Sequence, residues 1–165
     1  MAVCGIWGGD SHVTSSAADA RRRLHPDESE ELIAEHLTGD IIFRQPTRVF
    51  ARLRARSGRP TWVYQLDWAS PLLAPRGAPH SSTVALFFAN DERVAFTRGY
   101  ADGHRLSAVM SDALATFIRA GDPGWPRWDE GSKPVMVFDA TTRVVNDPDS
   151  AIGAAFDAIE PEPLL

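Results

Sequence analysis

The segment Thr61-Trp-Val-Tyr-Gln-Leu-Asp-Trp68 constrains the fold of this chain more than any other. Strict alternation puts Trp62, Tyr64, Leu66 and Trp68 on one face of a β-strand and Thr61, Val63, Gln65 and Asp67 on the other. A Pro/Gly-rich loop carrying Gly77-Ala-Pro-His80 follows and leads into the apolar run Leu86-Phe-Phe-Ala-Asn90. A rigid strand ahead of such a loop holds an imidazole at the rim of a sheet, which suits a loop-borne catalytic base.

The rest of the chain reads as mixed α/β with about four or five strands. Ala2-Val-Cys-Gly-Ile-Trp7 makes a short buried strand ending at Gly8-Gly9. Ser15 or Ser16 caps a short helix through about Leu24. Pro26 stands in the first turn of the next helix. Asp27, Glu28, Glu30 and Glu31 suit its positive end, and Leu32, Ile33, His36 and Leu37 form its buried face. Gly39-Asp40 interrupts the pattern before Ile41-Ile-Phe43. A helix from about Gln45 to Ser57 has Pro46 at its start and Gly58 beyond its end, with Val49, Phe50 and Leu53 apolar and its arginines wet.

The strongest helical pattern lies between His104 and Ala120, where Leu106, Val109, Met110, Ala113, Leu114, Phe117 and Ile118 recur at helical spacing. Gly121 and Pro123 stop it. Trp125-Pro-Arg-Trp128 reads as an aromatic surface loop. Val135–Asp139 and Thr142–Val145 read as a terminal β-hairpin, and Pro148 opens a last helix to about Ile159. Residues 1–165 thus make a single partial domain, with a frayed Pro/Glu tail at 160–165. Parallel strands need neighbours and helices on both faces, and few strands remain here to supply them. The chain reads like the end of a larger sheet.

Composition narrows the function. The 44% apolar and 24% charged residues are those of a soluble globular protein. A net charge of -5 argues against a nucleic-acid or anionic-membrane binder. The cations are 16 Arg to one Lys, clustered at Arg21-Arg22-Arg23 and at Arg52, Arg54, Arg56 and Arg59. These clusters read either as a phosphate patch or as solvated helix faces, and the 22 acidic residues favour the second. A single cysteine excludes an internal disulfide, and Cys4 within an apolar strand reads as a packed thiol. No apolar run approaches the ~20 residues that span a bilayer, and no charged segment followed by an apolar leader opens the chain. A cytoplasmic protein is the expectation. His12, His25, His36 and His104 show no metal-ligand spacing, and no metal or cofactor is implied.

From about Asp40 to Phe156 the order of segments resembles the C-terminal third of the type-B carboxylesterases, the cholinesterase-like and para-nitrobenzyl esterase-like branch of the α/β-hydrolases. Asp40-Ile-Ile-Phe-Arg-Gln-Pro46 is similar to the family segment that opens a helix. Thr61–Trp68 resembles its Val-Trp-Tyr-Phe-Asp-Trp strand, and Gly77-Ala-Pro-His80 its Gly-Ala-x-His. Leu106–Gly121 with Asp122-Pro123, Trp125-Pro126, Val135–Asp139 and Asn146-Asp-Pro148 continue the series. The resemblance implies the C-terminal part of an α/β-hydrolase sheet with flanking helices and a terminal hairpin. It also implies that His80 is the base of a serine–histidine–acid triad.

There are departures from the family pattern. Thr83 and Ala85 stand where the family carries an acidic residue and a proline. Neither the nucleophile motif Gly-x-Ser-x-Gly nor the Gly-Gly oxyanion loop occurs; Ser11 has Val13 where the motif needs glycine. Ser81 and Ser82 follow His80 too closely to serve as its nucleophile. Gly5-Ile-Trp-Gly-Gly-Asp10-Ser loosely imitates the family's acid segment, so Asp10 reads either as the acid partner or as a turn aspartate.

The expected function is carboxylic ester hydrolysis, with a small-molecule ester as substrate and serine supplied from elsewhere; this chain alone is expected to be inactive. The alternative is a catalytically silent carboxylesterase-like remnant or interaction module. Partners on these readings are a missing N-terminal segment or a second copy paired through an exposed sheet edge.

Overall fold

The computed structural model describes residues 11–157 except Pro75 and Pro79. The strand expected over Ala2–Trp7, Cys4, Asp10 and the tail at 160–165 lie outside the described residues. Along the chain run α1 (Ser11–Leu24), α2 (Glu30–Gly39), α3 (Gln45–Arg56), β1 (Val63–Leu66), α4 (Ser82–Phe87), α5 (Ala101–Ala120), β2 (Pro134–Phe138), β3 (Arg143–Asn146) and α6 (Ser150–Asp157). They form two compact units. One comprises residues up to Phe50 and from Asp149 onward, and the other Ala51–Pro148.

In the first unit, α1 packs on α2 and α6 around buried Ala17, Ile33 and Leu37. Nothing between Ser11 and Ser16 breaks a helix, so α1 starts earlier than a cap at Ser15 or Ser16 would place it. Ser29, rather than Pro26, opens α2: its hydroxyl accepts the Leu32 N–H at 3.3 Å, while Pro26 sits in the preceding turn.

Gly39-Asp40 does not end the helical path. A π-helical turn, Asp40–Arg44, joins α2 to α3, and the Gln45 N–H donates to the Asp40 carbonyl. The wider turn lies just ahead of Pro46, which has no N–H to give and whose ring crowds the carbonyl four residues back. Ala51 is buried, Arg44 and Arg48 are half-buried, and Ile42, Phe43, Val49, Phe50 and Leu53 form an exposed apolar stripe. The arginines are held by carboxylates: Arg44 by Asp149 at 2.6 Å and Asp40 at 3.2 Å, and Arg48 by Asp157 at 3.3 Å.

The second unit is built on a three-stranded sheet of order β1-β2-β3. β1 runs parallel to β2, with Val63 opposite Val135 and Leu66 opposite Phe138. β2 and β3 form the expected hairpin, antiparallel, with Val135 opposite Val145. The central strand Pro134-Val-Met-Val-Phe138 is apolar throughout and mostly buried, as a strand covered on both faces must be. The outer edge of β1 has no strand partner among the described residues.

Helix α5 lays Leu106 and Met110 on Trp68, Leu86 and Phe138 to make the core. It ends at Gly121, whose left-handed conformation (φ 70°) lets its N–H reach the Phe117 carbonyl. Val109 and Ile118, expected on the core face, are exposed. Rings on the alternating face of β1 meet this core, Trp62 edge-on to Phe117 at 5.7 Å and Tyr64 to Phe87 at 5.0 Å. The Trp125–Trp128 loop is anchored rather than superficial. Trp125 packs edge-on to Phe138 at 5.8 Å, and buried Trp128 donates its backbone N–H to the Thr61 carbonyl.

Candidate functional site

In the chain His80 follows β1, in the connection that leads to α4; ligands of open α/β sheets bind outside the carboxyl ends of the strands. The chain leaves β1 with Asp67 and Trp68 both donating their N–H groups to the Phe138 carbonyl, which ties the strand exit to β2. Buried Ser70 then pins the loop: its hydroxyl donates to the Phe96 carbonyl at 2.5 Å, and its carbonyl accepts the Leu73 N–H. Gly77 turns the chain with φ 76°, and Ser81 follows His80 with φ 74°. Between these two left-handed residues the imidazole is presented at the surface, just ahead of α4.

The neighbours of His80 on α4 divide by burial. The Ser82 side chain is buried, whereas His80 is exposed. Thr83 hydrogen-bonds the Tyr64 side chain, and burial pushes the Tyr64 hydroxyl's pKa up, an effect that this bond opposes. A neutral pair thus stands where the family carries a carboxylate. Val84 and Phe88 leave apolar side chains exposed on and just beyond the same short helix. Asp10, the expected acid partner, lies outside the described residues.

The fold also gathers histidines that sequence spacing leaves isolated. His36 Nδ1 stands 3.3 Å from Glu28 Oε1 and also contacts the Arg21 guanidinium, which grips Glu28 with two bonds of 2.7 Å. Arg22 pairs with Glu30, and Arg56 with Glu130. Arg21, Arg22 and Arg56 of the arginine clusters are therefore held by carboxylates, and Arg54 donates to the Thr61 hydroxyl and the Pro60 carbonyl.

His104, in the first turn of α5, places Nδ1 2.9 Å from Oδ2 of Asp91. Burial would raise the Asp91 carboxyl, but hydrogen bonds with His104 and Ser107 outweigh it and hold the group below the usual carboxylate range. The same hydrogen bond lifts His104 above its ordinary value. With Glu92 these residues bring three ligand atoms within 4.8 Å of one another. No helix among the described residues is long and apolar enough to cross a membrane.

The chain belongs to the carboxylesterase family, whose sequence profile matches residues 13–150. A 135-residue stretch is 27% identical to the para-nitrobenzyl esterase of Bacillus subtilis (strain 168), taking in 77% of this chain and 27% of that protein. An esterase from the anaerobe Clostridium hathewayi that can hydrolyse aliphatic aromatic polyesters superposes with a TM-score of 0.70 at 26% identity, over 88% of this chain and 30% of its own. A Geobacillus stearothermophilus carboxylesterase shares the fold, with a TM-score of 0.71 at 23% identity, over 84% of this chain and 31% of its own. The three-stranded sheet and its helices are thus part of an α/β-hydrolase fold, and the chain spans roughly a quarter to a third of each relative's length.

Proposed function

We propose that this chain is the base-carrying part of a carboxylesterase acting on small-molecule esters. His80 takes the proton of a serine hydroxyl as that oxygen attacks the ester carbonyl, then returns a proton to the departing alcohol. Asp10 accepts a hydrogen bond from the other ring nitrogen and stabilises the imidazolium. The serine and the oxyanion donors come from protein outside these residues, since no Gly-x-Ser-x-Gly lies within them. The observation that supports this reading is the exposure of His80 in the connection that follows a parallel strand, in a chain of this family. Exposed Val84 and Phe88 add apolar surface suited to an ester chain.

The test is hydrolysis of p-nitrophenyl butyrate by a chimera in which the N-terminal part of the Bacillus subtilis para-nitrobenzyl esterase precedes residues 1–165, so that Asp10 is retained. His80→Ala is expected to lower kcat at least ~1000-fold in a folded chimera. Undiminished turnover in that variant would overturn the assignment. The isolated chain is expected to show no turnover above its own His80→Ala control.

A second reading is a catalytically silent interaction module, favoured by the outer edge of β1, which has no strand partner among the described residues, and by the neutral Thr83 in the acid's place. Light scattering separates the two. A stable homodimer disrupted by Tyr64→Pro, at a position whose N–H faces away from β2, would support the module, and a monomer would count against it.

A further inference from the structure

Asp91, Glu92 and His104 take no part in ester chemistry on the reading above, and their geometry has a use of its own. We propose that these three side chains form a binding site for one octahedral divalent first-row transition-metal ion. Such ions hold nitrogen and oxygen ligands at about 2.0–2.2 Å, so two ligands at right angles stand about 3 Å apart. Asp91 Oδ2 and His104 Nδ1 are already 2.9 Å apart. An ion entering there replaces the proton between them, which leaves to solvent. The Glu92 carboxylate is exposed and accepts no hydrogen bond among the described residues, so it is available as the third ligand.

The donor set also says which ions fit. Two carboxylates and one imidazole favour manganese, cobalt, nickel or zinc over magnesium and calcium, which take oxygen ligands almost exclusively. The positions are preset by the fold. Asp91 is buried at the start of a 3₁₀ turn (Asp91–Arg93), where its carbonyl accepts the buried Thr97 hydroxyl at 2.6 Å. His104 rides on α5, its N–H bonded to the Tyr100 carbonyl at 2.9 Å. Its side chain is 70% exposed, which leaves the remaining coordination positions to water. A bound ion would clip the 3₁₀ turn to the first turn of α5.

The experiment is titration of the untagged, chelator-treated chain with cobalt(II) alone, followed by calorimetry and by proton NMR of the histidine rings. One equivalent should bind, with paramagnetic shifts on the His104 ring protons. Affinity should fall at least tenfold in both His104→Ala and Glu92→Gln and stay unchanged in His25→Ala. Both informative positions are exposed, and circular dichroism checks that the variants fold. Absence of saturable binding, affinity that survives either substitution, or His104 resonances untouched by cobalt in the unaltered chain would each overturn the proposal.

Discussion

Arg21 grips Glu28 through Nε and Nη2 at 2.7 Å each, with both side chains largely out of water. The pair closes the turn between α1 and α2, where the chain reverses around Pro26. Burial alone would raise the Glu28 carboxyl, yet Arg21 outweighs it, aided by His36 and His25, and holds the group below the usual carboxylate range. A carboxylate depressed in the folded state contributes stability that is present above its unfolded pKa of about 4.3 and lost as pH falls through the folded value. Urea titrations at a series of acidic pH values should therefore show stability declining below about pH 4. In Arg21→Met that decline should be shallower, because Glu28 no longer carries a depressed pKa.

The same substitution leaves a half-buried carboxylate without its main partner. Arg21→Met should destabilise the chain by about 2 kcal/mol near neutral pH. Adding Glu28→Leu should recover most of that loss, since an apolar pair avoids the desolvation of two charges. Denaturation midpoints of the three proteins check this; a double variant no more stable than Arg21→Met would count against it.

Gly103 is the one helical glycine pressed against a ring. A Cβ there would stand 3.0 and 3.1 Å from two carbons of Trp68, itself buried in the core. Alanine gains about 1 kcal/mol of helix propensity over glycine but must displace an indole that has nowhere to go. Gly103→Ala should destabilise by about 1–2 kcal/mol net, read from thermal or urea unfolding.

Gly121 tests the opposite circumstance. No atom lies within 4 Å of an added Cβ, but φ is +70°. Gly121→Ala should cost about 1 kcal/mol through backbone strain alone, and Gly121→Asn distinctly less, because asparagine tolerates the left-handed region better.

Ile42 and Leu53, on the apolar stripe of the π turn and α3, are 52% and 58% exposed. Ile42→Gln and Leu53→Gln should leave folding stability within about 0.5 kcal/mol and reduce self-association in sedimentation velocity. A large loss of stability would mean that the stripe is packed in the isolated chain.

What the sequence revealed follows from how local each signal was. The alternation over Trp62–Trp68, the four-turn apolar series of α5 with Gly121 at its end, and the closing hairpin are each readable within one element. The His80 loop was legible because Gly77 and the strand before it lie in the same short window. The apolar run after it, by contrast, opens on a helix, α4. Pairings across turns were not legible. His36 meets Glu28 from outside its own helix, and His104 meets Asp91 from 13 residues away, so neither shows a helical repeat. The facing of α3 was misread because hydrophobicity alone assigns its inner side, whereas Asp40, Asp149 and Asp157 draw the arginines inward. Trp125 and Trp128 looked superficial for want of the strand and carbonyl they pack against.

The π turn ahead of Pro46 has a consequence for how this segment tolerates change. A π turn holds one residue more than the α-helical turn it replaces, so deleting one residue from Ile41–Phe43 would let ordinary winding resume with α3 facing much as before. The same deletion from the middle of α3 would shift every later side chain of the helix by roughly 100° about the axis. A one-residue loss should therefore be better tolerated in the π turn than in the helix that follows it.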